Sequence, residues 1–201
     1  MTLTYKGITP TLVVDTRPLQ NHVPVAGTKW RMGQDGQFTA TTGNEGICAT
    51  LTSFWLNERA SGRMVTQIGQ FPSAFTLSIA QSGYEASGGQ IGSRPALMDR
   101  FGLEVITSGE VKRKWYQFKK TPLNSIAAAV GGWPGYYYIS IRGDGGHAIG
   151  AATKGTVQFF DPNEGILDFA NLLDLCKWLP AYVVGEYPDL LKEAELYAAG
   201  T

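Results

Sequence analysis

The order in which helical and strand-like segments follow one another constrains the fold of this chain more than any other feature. Apolar residues recur at helical spacing in the first half, whereas short segments rich in β-branched and aromatic residues dominate the second half. We predict strands at residues 103–107, 111–118, 136–141, 148–153 and 156–160, interrupted only by the stretch 122–130. Helices that precede an antiparallel sheet in this way are typical of an α+β protein.

The spacing of apolar residues also predicts where the helices lie. They are expected at residues 47–60, 65–81, 96–101, 169–179 and 189–199. Pro72 is expected to interrupt the second of them, and Asp168 is expected to cap the helix that covers the sheet. Residues 1–45 mix β-forming segments with turn-forming glycines, and this mixture predicts an extended arm.

The length of the chain bounds the number of domains. Its 201 residues, of which 43% are hydrophobic, are enough to bury one substantial core. We predict a single domain, with the extended arm at 1–45, a helical lobe at 46–102 and a sheet lobe with its covering helix at 103–180. A tail follows at 181–201. An active site is expected between the two lobes.

Charge and cysteine content exclude several classes of protein. The chain has 17 basic and 17 acidic residues, so its net charge gives no reason to expect nucleic acid as a partner. Its two cysteines, Cys48 and Cys176, form no metal-binding motif, and no metal or cofactor is predicted. No apolar run approaches the ~20 residues of a membrane span, and the first residues lack the pattern of a secretory signal peptide. Synthesis in the cytoplasm is therefore expected, and export would need another kind of signal.

Cys48 lies where a loop is predicted to meet a helix. Gly43, Asn44 and Gly46 form the predicted loop, and the helix predicted at 47–60 begins beside the cysteine. Partial positive charge and free N–H groups at a helix N terminus favour a thiolate and also bind an oxyanion. A free cysteine is more often a small buried core residue, so Cys48 alone does not predict catalysis.

His147 is the better placed of the two histidines in the chain. Glycines flank it in the segment Arg142–Gly150, and an apolar strand is predicted to follow, so that the imidazole is unobstructed at the start of that strand. His22 lies in a polar, proline-containing arm with no nearby chemistry. A lone histidine is more often structural, and this alternative remains open for His147.

Asp161 follows a predicted strand and begins the turn Asp161–Gly165. If residues 148–153 pair with 156–160 across a tight turn at Lys154 and Gly155, Asp161 becomes a neighbour of His147. The carboxylate would then orient the imidazole. Asp161 could instead only initiate an Asp-Pro turn, and Asp144 is a competing carboxylate in a glycine-rich loop.

Three segments together resemble the YopT-like cysteine peptidases, which are bacterial effector proteases of papain-like fold. The segments are Asn44–Cys48, Gly146–Gly150 and Phe159–Gly165, and their Cys, His, Asp order and spacing match that family. The resemblance covers roughly residues 43–165. Two features depart from it or from papain: the chain has no long translocation segment, and its cysteine lacks the Cys-Gly-x-Cys-Trp surroundings of papain.

The resemblance implies a role for each matching residue. Cys48 would be the nucleophile, His147 the base and Asp161 the group that orients the base. A papain-like enzyme also uses an amide side chain before the cysteine to complete its oxyanion hole, for which Asn44 is the first candidate and Gln37 the second. Asn44 could equally serve as a helix cap. The implied reaction is peptide-bond hydrolysis through a thioester, without a cofactor, on a protein substrate.

The resemblance also implies a biological setting, namely a bacterial effector or toxin delivered into another cell and restrained in its producer by an inhibitor or immunity protein. Two other functions remain open. The same three residues could deamidate or transglutaminate glutamine through the same kind of thioester. Alternatively, the chain could be a papain-like binding module without turnover.

Overall fold

A computed structural model of the chain describes residues 3–21, 28–32, 38–42, 47–86, 93–105, 118–119, 123–143 and 145–200. Within these ranges the helices are α1 (Arg17–Asn21), α2 (Cys48–Ala60), α3 (Ala74–Ala86), α4 (Ser93–Arg100), α5 (Leu123–Gly132) and α6 (Leu172–Glu186). The strands are β1 (Thr11–Asp15), β2 (Thr28–Met32), β3 (Phe38–Thr42), β4 (Glu104–Val105), β5 (Phe118–Lys119), β6 (Tyr136–Arg142), β7 (Gly146–Ala152), β8 (Gln158–Asp161), β9 (Gly165–Asp168) and β10 (Glu193–Gly200). None of these helices is long and apolar enough to cross a membrane.

One antiparallel sheet of eight strands organises the molecule. Its order is β1-β9-β8-β7-β6-β10-β4, and β5 also pairs with β10. Strands β2 and β3 form a separate two-stranded hairpin. The mixture of helices with an antiparallel sheet agrees with the predicted α+β class.

The sheet separates two hydrophobic cores. On one face, Leu51 and Trp55 of α2 pack with Tyr138 and Phe160 of the sheet. On the other face, Trp178 of α6 packs with the alternate residues of the strands and with α5. Because side chains alternate along a strand, each inner strand contributes to both cores. The sheet is therefore buried between helical layers.

A glycine allows α2 to lie close to the sheet. A Cβ atom built on Gly150 of β7 would lie 2.8 Å from the ring of Trp55 and 3.3 Å from the methyl group of Thr52. The hydroxyl of Thr52 also donates to the carbonyl oxygen of Ala148 at 3.0 Å. These contacts fix the position of α2, and hence of Cys48 at its first turn, relative to β7.

The predicted helix at 65–81 is wrong in its first half. A short 3-10 helix, Ile68–Gln70, precedes Pro72, and the α-helix begins only at Ala74. The side chain of Gln70 accepts the backbone N–H groups of Thr66 and Gln67, which caps the N terminus of the 3-10 turn. Proline disfavours a helical conformation in the residue before it, so the two segments stay separate.

The covering helix begins later than predicted, and Asp168 is not its cap. Asp168 ends β9, where its carboxylate accepts the side-chain amide of Gln158 at 2.7 Å. The cap is Asn171, whose side chain accepts the N–H of Asp174 at 2.9 Å. Helix α6 then continues through Pro180 as far as Glu186.

The helix predicted at 189–199 is also wrong, because residues 193–200 form strand β10. This strand pairs with β6 along seven residue pairs, from Glu193 opposite Arg142 to Ala199 opposite Tyr136. Alanine, glutamate and leucine favour helix in isolation, but the pairing with β6 and the burial of Leu196 and Tyr197 override that preference. The sheet therefore takes strands from both the predicted arm and the predicted tail.

Candidate active site

Cys48 is the first residue of α2, the helix that lies on one face of the sheet. Ile47, buried before it, accepts the N–H of Leu51 and the hydroxyl of Thr50, which closes the first turn. The N–H of Thr50 is donated to the side-chain oxygen of Gln81 from α3 at 3.2 Å. Cys48 is a free, half-buried thiol at a firmly anchored helix N terminus.

His147 is the second residue of β7, opposite Ile141 of β6. Its side chain points to the same side of the sheet as Ile149, which belongs to the core beneath α6. Cys48 is near enough to the imidazole to contribute to the raised pKa of His147. The edge of the sheet thus brings helix α2 and the histidine together.

The imidazole has a second partner in Asp161, the last residue of β8. The Nε2 atom of His147 lies 2.8 Å from Oδ1 of Asp161. An ionised carboxylate only accepts hydrogen bonds, so Nε2 carries the proton and donates it. This leaves Nδ1 of His147 for Cys48. His147 is thus hydrogen-bonded to Asp161, and Cys48 is near the same imidazole.

The hairpin that joins His147 to Asp161 is wider than the sequence predicted. The last pair between β7 and β8 is Ala152 opposite Gln158, so residues 153–157 connect the strands in place of a two-residue turn. The backbone N–H of Thr153 donates to the carbonyl oxygen of Gly135, and the carbonyl oxygen of Val157 accepts the N–H of Phe169. Both residues are therefore hydrogen-bonded to other segments and not to each other's strand. Asp161 nevertheless reaches His147, because the side chains meet diagonally across the two strands.

Asp161 also initiates the Asp-Pro turn that was considered as an alternative for it. Its Oδ1 atom accepts the N–H of Asn163 at 2.8 Å, and its carbonyl oxygen accepts the N–H of Glu164 at 3.0 Å. The two interpretations of this residue are therefore compatible. The turn holds the backbone of Asp161, while the carboxylate remains available to His147.

Two tyrosines complete the surroundings of the Asp161 carboxylate, and sequence reasoning missed both. The hydroxyl groups of Tyr182, in α6, and Tyr187, which follows it, each lie 2.7 Å from Oδ2 of Asp161. Asp161 itself is fully buried. In the sequence these tyrosines belong to an amphipathic helix and its end, where aromatic residues usually indicate only a core. No motif distinguishes them.

Charge in this site is stabilised by pairing. Burial lowers the pKa of His147, but the attraction of Asp161 and the hydrogen bonds to Asp161 and Cys48 outweigh it and raise that pKa to about 10. Burial likewise raises the pKa of Asp161, but His147 and the hydroxyl groups of Tyr187 and Tyr182 outweigh it, so that this pKa lies below its usual value. An imidazolium beside an ionised carboxylate is the favoured state of the pair at neutral pH.

Several residues considered in the sequence lie outside the described ranges. They are Asn44 and Gln37, the two candidate oxyanion donors, together with Asp144 and His22. The oxyanion assignment therefore stays a prediction. Within the described part of the chain, no cluster of three or more His, Cys, Asp or Glu side chains could hold a metal ion.

The sequence by itself matches no protein-family model and no curated protein. The three-dimensional structure, however, is similar to the crystal structure of the Pseudomonas avirulence protein AvrPphB, with a TM-score of 0.57 over 77% of this chain and 92% of the other. The two proteins share a fold. Their sequence identity is 17%, and at that level the likeness to AvrPphB carries no residue assignment.

Proposed function

We propose that this protein is a cysteine protease of papain-like fold. Cys48 is the nucleophile, His147 the general base and acid, and Asp161 the group that orients the imidazole. The observation that carries the proposal is the buried hydrogen bond of 2.8 Å between His147 and Asp161, with Cys48 near the same imidazole at the N terminus of α2. A positively charged imidazole beside a thiol at a helix N terminus is the environment of a nucleophilic cysteine.

In the first half of the reaction, Cys48 and Nδ1 of His147 share one proton; this proton lies on Nδ1 while the Cys48 sulfur attacks the carbonyl carbon of a peptide bond. The resulting tetrahedral intermediate collapses as Nδ1 of His147 gives its proton to the departing amine, and a thioester remains on Cys48. In the second half, a water molecule gives a proton to Nδ1 of His147 and attacks the thioester. The second tetrahedral intermediate collapses with cleavage of the C–S bond, which releases the carboxylic acid and leaves the shared proton on Nδ1 of His147 as at the start.

Asp161 supports both halves without bonding to substrate. Its Oδ1 atom accepts the Nε2 proton of His147, which keeps Nδ1 directed toward the sulfur. The oxyanion of each tetrahedral intermediate would be bound by backbone N–H groups in the first turn of α2. We retain Asn44, with Gln37 as the second candidate, for a side-chain donor at the same place.

The setting that we propose is a bacterial effector or toxin. Two observations support it: the resemblance of the three segments to YopT-like peptidases, and the fold that the chain shares with an avirulence protein. In this proposal the protein is made in the bacterial cytoplasm, is delivered into another cell and acts on a protein there. An inhibitor or immunity protein would restrain it in the producing cell.

The test is an analysis of products. The purified protein, and Cys48→Ala as its control, are incubated with candidate proteomes, and new peptide termini are mapped by mass spectrometry. New termini that depend on Cys48 support the protease. A mass gain of about one dalton on glutamine, or glutamine crosslinks, would instead assign acyl transfer from glutamine to the same site. A protein whose Cys48 is alkylated selectively, but which changes no substrate, would be a binding module.

A further inference from the structure

The two oxygen atoms of the Asp161 carboxylate have different partners. Oδ1 accepts Nε2–H of His147 and the backbone N–H of Asn163, both at 2.8 Å. Oδ2 accepts the hydroxyl groups of Tyr182 and Tyr187, both at 2.7 Å. A carboxylate with four donors in two fixed directions cannot rotate without breaking several charge-assisted hydrogen bonds.

Packing holds the Tyr182 hydroxyl in place. Its ring is fully buried and stacks on Trp178, one turn earlier in α6, with centroids 4.2 Å apart and planes 13° apart. Phe159 of β8 contacts the same ring edge-on at 5.4 Å. The hydroxyl therefore has a fixed position and approaches Asp161 from the core beneath α6.

The Tyr187 hydroxyl is oriented by a second hydrogen bond. The side-chain amide nitrogen of Asn163 lies 3.1 Å from the Tyr187 oxygen, and an amide N–H₂ group can only donate. Tyr187 accepts that hydrogen bond, so its own proton is free for Asp161. Asn163 thus donates its backbone N–H to the Asp161 carboxylate and its side-chain amide to the hydroxyl of Tyr187.

Tyr187 also contacts the imidazole directly. Its ring stacks on the ring of His147 with centroids 4.7 Å apart and planes 26° apart. The stack restricts rotation of the imidazole about its bond to Cβ and excludes water from one face of the ring. Among these groups, Tyr187 alone touches both His147 and the Asp161 carboxylate through its side chain.

We propose that Tyr182 and Tyr187 are positioning residues of this site, which clamp the Asp161 carboxylate so that it holds His147 in register with Cys48. Tyr187 has the larger effect because it also fixes the plane of the imidazole. The inference rests on the proposed function for its effect on turnover. The positioning of His147 and Asp161 by the two tyrosines does not depend on which reaction the site performs.

The groups around Asp161 set the pH at which its carboxylate takes up a proton, so the clamp predicts a measurable effect at acidic pH. The groups that face it are His147 from β7, Tyr182 from α6, Tyr187 after α6, and Glu164 in its own turn. Removing a phenol donor destabilises the carboxylate and raises the pH at which it takes up a proton. The hydrogen bond from His147 to Asp161 is then lost at a higher pH as the solution is acidified.

The variants for the test separate the two contacts of Tyr187. Tyr187→Phe keeps the stacked ring and removes the donor, Tyr187→Leu removes both, and Tyr182→Phe removes only a donor. The matched control is Tyr137→Phe, a buried tyrosine whose hydroxyl donates to the carbonyl oxygen of Trp133 at 2.5 Å, away from the site.

The first readout is turnover. We expect kcat to fall about tenfold in each Tyr→Phe variant at the site and about 100-fold in Tyr187→Leu, with KM unchanged, since a hydrogen bond to a charged group is being lost. Tyr137→Phe should keep native kcat. Native kcat in both Tyr187 variants would overturn the proposal.

The second readout does not depend on any substrate. The chain has only two histidines, so the downfield proton resonance of the hydrogen-bonded Nε2–H of His147 can be assigned with a His22→Asn variant. We expect this resonance to disappear at a higher pH in Tyr187→Phe than in the native protein, and to be absent in Tyr187→Leu. If both variants show the native resonance down to the native pH, the clamp does not exist. A protein that hydrolyses nothing but shows the expected shifts would contradict the proposed function and leave the clamp supported.

Discussion

The side chain of Asp161 is fully buried. Its ionised carboxylate is stabilised by the groups that donate hydrogen bonds to it. Burial of an isolated carboxylate is costly, whereas a buried charge that is paired and hydrogen-bonded is tolerated. His147 supplies the opposite charge, and Asn163, Tyr182 and Tyr187 supply neutral donors. The cost of burying Asp161 is thus offset by an arrangement that also fixes the histidine.

The first prediction concerns the loss of this carboxylate. Asp161→Ala should lower kcat on the order of 10⁴-fold, less than the loss of about 10⁶-fold expected without the nucleophile, because the orienting group does not bond to substrate. Asp161→Asn keeps the size of the side chain and should still lower kcat strongly. Steady-state kinetics provide the measurement.

The competing carboxylate supplies the control for this prediction. Asp144→Ala should change kcat far less than Asp161→Ala. Equal losses in the two variants would show that the role assigned to Asp161 belongs to both acids or to neither.

Sequence reasoning at the scale of single residues selects candidates where a residue type is rare and its spacing is defined. Cys48, His147 and Asp161 are such candidates; the structure joins His147 to Asp161 by a hydrogen bond, and the catalytic roles of all three stay predictions. Tyr182 and Tyr187 were missed, because a tyrosine in an amphipathic helix gives the same pattern whether its hydroxyl is functional or not. The donor role depends on long-range packing of α6 against β8, which local sequence does not encode.

At the scale of elements, the site depends on how closely α2 approaches β7. The helix carries Cys48, and the strand carries His147, so their separation sets the distance between thiol and imidazole. Gly150 permits the approach, because its missing side chain leaves room for the ring of Trp55. Trp55 in turn stacks on Phe160 of β8 with centroids 5.3 Å apart.

The second prediction tests this contact. Gly150→Ala places a methyl group 2.8 Å from Trp55, so it should destabilise the fold by about 1 to 3 kcal/mol through overpacking. Turnover should also fall, because α2 must shift away from β7. Chemical denaturation and kinetics on the same preparation measure the two effects.

Gly132, the last residue of α5, is the matched control, since a Cβ there meets nothing within 4 Å. Gly132→Ala should leave stability unchanged or slightly higher. A Gly150→Ala protein with the same denaturation midpoint and turnover as Gly132→Ala would contradict the close packing of α2.

Elements with a clear period were predicted well, and elements fixed by distant partners were not. Helix α2 was predicted within one residue of its observed start, because its apolar spacing and the glycines before it agree. Strand β10 was predicted as a helix, since its alanine and glutamate residues favour helix locally and only its pairing with β6 makes it a strand. The start of α6 was placed too early, because an aspartate in a strand and an aspartate at a helix cap look alike in sequence.

At the scale of the whole molecule, the site joins parts of the chain that are far apart in sequence. Helix α2 lies on one face of the sheet, and α6 with its tyrosines lies on the other. Strand β1 from the N-terminal part and β10 from the C-terminal part both belong to the sheet. The buried pair of His147 and Asp161 links the stability of the fold to the protonation state of the site, because folding changes the pKa values of both residues.

The third prediction follows from that linkage. The pKa of His147 is raised from 6.5 to about 10 in the folded protein, so the protonated histidine stabilises the fold fully below pH 6.5. This contribution should be lost as the pH rises from 6.5 through about 10. The pKa of Asp161 is lowered, so its contribution is present above the unfolded pKa and is lost as the pH falls through the folded value.

Denaturation midpoints at pH 6, 8 and 10 in the native protein and in His147→Gln measure the effect. The native midpoint should fall more steeply with pH than that of the variant, in which lysines and tyrosines still titrate but position 147 does not. Parallel curves for the two proteins would mean that the pair does not contribute in the way its geometry implies.

The central claim is that Cys48 and His147 act together on one carbonyl, and turnover of three alanine variants tests it most directly. Cys48→Ala and His147→Ala should each abolish Cys48-dependent hydrolysis while the protein keeps its native circular dichroism, because either change disables the same attack. Cys176→Ala should keep native turnover, since Cys176 is a half-buried thiol that donates to the carbonyl oxygen of Ala127 away from the site. Near-native hydrolysis by a folded Cys48→Ala protein would contradict the account.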